Sequence, residues 1–204
     1  AKSGDSDPEL NFRLRLAIDN AKSQNMPKDN IERAIAKGSG TGAGGDSFEE
    51  ITYEGYGPKG IAVIIECLTD NKNRTVSEVR HALTKYNGSL GTKGSVSHLF
   101  RKIGILTLVD FSEDDLIDHV DDIEILDYEE TENNCIINTD PSQLFAVKSF
   151  FDSKSVQTKD EELILEPITM CDISDSDIEQ VQLFTDNLEE LDDVQNIYTN
   201  VNIV

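Results

Sequence analysis

Seven residues able to carry positive charge, Lys72, Arg74, Arg80, His81, Lys85, Lys93 and His98, fall between Thr69 and Phe100 of a very acidic chain, interleaved with Gly88, Gly91 and Gly94. The chemistry such a set offers is phosphate neutralisation. Lys and Arg displace the counterions of a nucleic-acid backbone, and free amides at a helix N-terminus or in a glycine loop add donors for an anion. Lys72 and Arg74 are expected in a loop leading into a helix that opens with a Thr75-Val-Ser-Glu78 capping box. Arg80, His81 and Lys85 are expected on the polar arc of that helix, and Lys93 at the tip of a loop whose glycines permit close backbone approach. Tyr86 and Phe100 read as packing residues, so backbone or shape recognition is favoured over reading of single-stranded bases. The competing reading is an ordinary solvated helix face with two loops. On the binding reading, Lys72→Glu with Arg74→Glu abolishes RNA or DNA association while the fold persists.

Other chemistries find less support. Gly55-Tyr-Gly57-Pro-Lys-Gly60 has the spacing of a dinucleotide-binding loop. That loop must open a helix, whereas IAVIIECL at 61–68 reads as a strand, so a strand connection is expected. His81, His98 and His119 have no clustered partners, and no nucleophile elbow surrounds Ser95, Ser97 and His98. No catalytic residue, metal site or cofactor is assigned, and the chain is read as non-enzymatic. Cys67, Cys135 and Cys171 are odd in number and lack CxxC spacing, which reads as buried free thiols in a reducing compartment.

The elements that must position the basic set follow from pattern. Asp7-Pro8 reads as a helix start, and Met26-Pro27 as a restart that ends at Gly38. Gly38–Gly45 has the composition of a flexible linker. Phe48–Glu54 alternates as a half-buried strand, and Ile61–Leu68 is apolar enough for a central one. Further along, Ser112 caps a short helix, 123–128 and 135–139 form a hairpin, and Pro141 opens a helix. Leu163–Ile168 is a strand marked as an edge or bulge by Pro167, Ser174 caps another helix, and Ile197–Ile203 closes the chain as one strand. This order implies an α+β protein: an N-terminal helical domain plus two small split-βαβ (ferredoxin-like) α+β domains, one inserted in the other. The expected divisions are 1–45, 46–110 with 165–204, and an acidic insertion at 111–164.

Charge divides the chain more sharply than composition does. Hydrophobic residues at 37% and charged residues at 28% suit a folded protein rather than a disordered one. Residues 1–104 carry 15 Lys/Arg against 13 Asp/Glu, and residues 105–204 carry 3 against 27. The first half is therefore free to approach a phosphate backbone. The second is expected to face away from it, either as a plain solvated surface or towards basic proteins.

MPKDNIERAIAKG at 26–38, YEGYGPKGIAVIIECLTDNKNRTVSEVRHAL at 53–83 and GTKGSVSHLF at 91–100 closely resemble the YebC/PmpR family, which includes the mitochondrial translational activator of cytochrome c oxidase. The match is dense over 5–110 and rests mainly on element order beyond. The resemblance implies three α/β domains and a non-enzymatic role in gene expression, as a DNA-binding transcriptional regulator or as a ribosome-associated translation factor that relieves stalling. Charge favours the translation role, with structured RNA and basic ribosomal proteins as partners and no membrane or small-molecule substrate. A protein-interaction module with an incidental basic patch is the alternative. Members usually carry a further Lys/Arg-rich N-terminal segment, and this chain opens at Ala1 rather than Met. A cytoplasmic bacterial location is expected, or a mitochondrial one if such a segment held a transit peptide.

Overall fold

The computed structural model describes residues 1, 5–23, 26–39, 48–131 and 133–203. The helices are α1 (Phe12–Ser23), α2 (Lys28–Gly38), α3 (Lys72–Lys85), α4 (Glu113–Ile117), α5 (Leu144–Ser153) and α6 (Asp175–Glu189). The strands are β1 (Glu49–Tyr56), β2 (Ala62–Thr69), β3 (Ser89–Leu90), β4 (Phe100–Val109), β5 (Asp127–Glu130), β6 (Asn134–Thr139), β7 (Thr158–Pro167), β8 (Cys171–Ile173), β9 (Val194–Thr199) and β10 (Val201–Ile203). The class is mixed α+β. Two compact units divide the chain, Asp46–Arg101 with Leu165–Val204, and Ala1–Gly45 with Lys102–Ile164.

In the first unit the strand order is β3-β1-β2-β9, antiparallel throughout. β2 reads as a nearly continuous apolar run because both its faces are covered. On one face Val63, Ile65 and Cys67 pack with Val79, Ala82 and Leu83 of α3 and Val181, Phe184 and Leu188 of α6. On the other, Ala62 and Ile64 pack beneath Val96 and Phe100. Gly57, Pro58–Gly60 and Ile61 form the tight connection from β1 to β2, and a Cβ on Gly57 would stand 2.8 Å from the Phe184 ring. The glycine motif is thus a strand connection under α6.

The closing segment is two strands rather than one. Asn200 interrupts it: its Oδ1 accepts the Ala62 N–H at 2.8 Å and its Nδ2 donates to the Thr169 carbonyl at 2.9 Å. β9 stays beside β2, and β10 pairs in parallel with β8 in a separate two-stranded sheet. Alternation continues through 197–203, so the break depends on a side chain whose partners are 138 and 31 residues away.

In the second unit the sheet order is β5-β6-β4-β7, which places Pro167 at the end of an edge strand. Leu106, Leu108, Cys135 and Ile137 of the sheet pack with Leu116, Leu144, Val147 and Phe151. β4 pairs with β6 from Gly104 to Val109, so residues 102–110 belong to this sheet and not to the unit holding the basic stretch, with which the order of elements groups them. Ser112 caps α4 as its sequence predicts, in a reciprocal box with Asp115. α1 starts later than Asp7-Pro8 implies. The Asp7 carboxylate accepts the Glu9 N–H in a local turn, and Asn11 Oδ1 takes the Leu14 N–H at 3.2 Å. From residue 40 onward the predicted linker lies outside the described residues. No helix among the described residues is long and apolar enough to cross a membrane. Burial pushes the thiol pKa values of Cys67 and Cys135 up to about 11, while Cys171 is only half-buried.

Candidate nucleic-acid interface

α3 begins at Lys72, one turn before the predicted capping box. Asn71 is the cap, its Oδ1 accepting the Arg74 N–H at 3.2 Å. Thr75, 1% exposed, lies inside the helix. Its hydroxyl is 2.7 Å from Asp193 Oδ2, and the Thr69 hydroxyl donates to the same oxygen at 3.0 Å. Arg74 Nη2 completes the group at 2.9 Å from both Asp193 oxygens and 3.0 Å from Asp70 Oδ1. Thr75 therefore serves a tertiary network rather than the helix end.

That network changes the standing of two predicted residues. Lys72 and Arg74 are in the first turn of the helix, not in a loop. Lys72 pairs with Glu49, and Arg74 is held by two carboxylates. Arg74→Glu would set a third carboxylate against Asp193 and Asp70. The Lys72→Glu, Arg74→Glu pair is accordingly a test of folding more than of binding.

Arg80, His81 and Lys85 all project, exposed, from the side of α3 away from Val79, Ala82 and Leu83. No ion pair engages them among the described residues; the Lys85 ammonium stands 5.2 Å from the centroid of the Tyr86 ring. Lys93 and His98 are also exposed, but they belong to the loop anchored on the other face of the sheet. Alternate residues of a strand point to opposite faces. Since Val63 and Ile65 face α3 while Ala62 and Ile64 face Val96 and Phe100, the sheet separates the two basic groups. The predicted seven-residue patch resolves into an α3 face of three residues, a loop with two, and two that are engaged by carboxylates in the first turn of α3.

The loop's amides are already occupied. Glu54, 7% exposed, accepts the Gly94 N–H on Oε1 at 2.8 Å and the Val96 and Ser97 N–H groups on Oε2 at 2.9 Å each. The donors expected to meet an external phosphate are thus engaged by an internal carboxylate. Burial alone would raise the pKa of Glu54, but the three amides and the Ser97 side chain outweigh it and hold the group below its ordinary value. Asp193 follows the same logic: burial opposes its charge, while Thr75, Arg74 and Thr69 hold its pKa down.

Lowered folded pKa values mean that the unfolded chain binds protons first on acidification. The stability these two groups contribute is complete above the unfolded carboxylate range, about 4, and is lost as pH falls through the folded values. Urea midpoints followed across that range should fall less steeply for Glu54→Gln and Asp193→Asn than for the native chain. Parallel acid profiles would show that neither carboxylate is coupled to folding.

A family described as the TACO1/YebC second and third domain matches residues 48–201, and the TACO1/YebC protein N-terminal domain matches residues 1–41. The chain belongs to the TACO1/YebC family. A probable transcriptional regulatory protein of Idiomarina loihiensis is 44% identical, over 100% of this chain and 82% of the relative. One from Lactiplantibacillus plantarum is 42% identical, over 98% and 84%. A conserved hypothetical protein from Aquifex aeolicus has the same fold, with a TM-score of 0.87 at 41% identity, covering 100% of this chain and 84% of its own. TACO1/YebC relatives thus carry regulatory names.

Sequence reasoning does not single out Glu54 or Asp193. Glu54 has one signal, a carboxylate between Tyr53 and Gly55 on a strand that feeds a glycine loop. Asp193, one of 40 acidic residues, has none.

Proposed function

We propose that this chain is a non-enzymatic, nucleic-acid-associated regulator of gene expression that acts at the ribosome. The observation that carries the reading is the outward face of α3. Lys59, Lys72, Arg74, Arg101 and Lys148 each sit against a carboxylate, and Lys102, Lys154 and Lys159 stand exposed elsewhere, whereas Arg80, His81 and Lys85 stand together on one side of one helix, exposed and without an ion pair among the described residues. In a chain of net charge −22, Arg80 and Lys85 on one exposed helix face offer positive charge to a phosphate backbone. Structured RNA offers that backbone together with basic ribosomal proteins, which would attract rather than repel residues 105–204.

The relatives' names support a second reading, transcriptional regulation through DNA. A net charge of −22 opposes tight duplex binding. Sedimentation of lysate through sucrose gradients at increasing salt separates the two. Salt-sensitive co-migration with ribosomes is expected. Absence from ribosomal fractions at low salt, with retained binding to promoter DNA, would sink the translation reading. Absence of both would leave a protein-interaction module.

A further inference from the structure

The loop Gly91–His98 is held more firmly than a surface connection requires. Three of its amides bind Glu54 through its side chain, and the Gly91 N–H donates to the Glu54 carbonyl at 2.8 Å. The Tyr56 hydroxyl donates to the Ser95 carbonyl at 3.1 Å, and Val96 is fully buried against Ala62 and Ile64. Gly94 has φ +90°, and a Cβ on Gly91 would lie 2.3 Å from Ser95 Oγ, so neither position accepts a side chain without rearrangement. Despite this anchoring the loop's outer side is polar and open: Thr92, Lys93, Gly94, Ser97 and His98 are all exposed.

Three amides converging on one pair of oxygens is the arrangement that binds a phosphate or carboxylate ligand. Here a side chain of the same sheet fills it. An occupied nest cannot accept a second anion, but it fixes the backbone around it. A loop ordered before binding avoids the entropy of ordering during binding.

We propose that Glu54 is a positioning residue, an internal carboxylate that pre-orders the loop so that Lys93 and His98 form a second phosphate-backbone contact, on the face of the sheet opposite α3. The proposal rests on the nucleic-acid reading above and specifies it. The contact is made by side chains, with the amides serving only to hold them.

A double-mutant cycle on the full chain tests this, with protein-free ribosomal RNA as the probe. Lys93→Ala should weaken binding about tenfold, and Glu54→Gln by a similar factor. In the Glu54→Gln background Lys93→Ala should then add less than about twofold, because the loop no longer presents it. Amide exchange at Gly94, Val96 and Ser97 should accelerate in Glu54→Gln while α3 and β2 keep their protection. If that variant does not fold, Tyr56→Phe removes one loop hydrogen bond and should shift exchange and affinity in the same direction. Equal effects of Lys93→Ala in both backgrounds, or native affinity with a released loop, would overturn the positioning role. Loss of binding in an α3 variant with full binding by Lys93→Ala would overturn the loop contact and leave the α3 reading standing. No RNA binding by the native chain would remove both.

Discussion

Replacing Asp193 by Ala is expected to lower the unfolding free energy by about 2–3 kcal/mol, the effect of removing a charged acceptor from buried hydroxyl donors. Asp193 is 5% exposed and stands in the turn before β9, where its carbonyl also accepts the Leu68 N–H at 2.8 Å. Its carboxylate joins Thr69 at the end of β2 and Thr75 in α3, which lie 124 and 118 residues away in sequence. These hydrogen bonds close the unit that Lys102–Ile164 interrupts. Asp193→Asn should lose less, since one acceptor oxygen remains, and Thr75→Val should lose about 1 kcal/mol. Lys72→Ala, at an exposed pair, should be close to neutral. The chain has no tryptophan, so urea unfolding is best followed by circular dichroism. An Asp193→Ala midpoint matching that of Lys72→Ala would show that the network does not stabilise the unit.

The same network explains what is legible in the sequence and what is not. β2 is readable because an apolar run of strand length has few other homes, and Ser112 is readable because its box partner is three residues away. Local chemistry is written locally. The start of α3 is misplaced by pattern alone because Asn71 and Thr75 are both competent caps, and the choice between them is made by Asp193, 118 residues further along the chain. Asn200 splits a cleanly alternating segment for a similar reason: the amide it satisfies belongs to Ala62. The basic stretch is visible as charge, but its division into two faces is not. That division depends on β2 alternation and on Glu54 drawing the loop to the face opposite α3. A glycine loop announces free amides only when no carboxylate lies beneath it.

Charge reversal on the outer face of α3 is the functional counterpart of the Asp193 prediction. Arg80→Glu with Lys85→Glu should weaken association with ribosomes or ribosomal RNA by about a hundredfold at low salt. That factor is roughly 3 kcal/mol, the sum of two phosphate attractions removed and two repulsions introduced. The slope of log affinity against log salt should become shallower by about two, one for each phosphate no longer neutralised. Both side chains are exposed on the helix face away from the Val79, Ala82 and Leu83 core, so the fold should be unaffected. Net charge is the confounder in so acidic a chain, and it calls for a matched control. Lys154→Glu with Lys159→Glu makes the same change in total charge at exposed positions of the acidic unit. A surface that works through local contacts loses binding only in the α3 variant. If both variants lose binding equally, the chain responds to its overall field and the α3 face is not a site. If neither loses binding, the cations of α3 are ordinary solvated residues, and the proposed nucleic-acid contact must be sought on another surface.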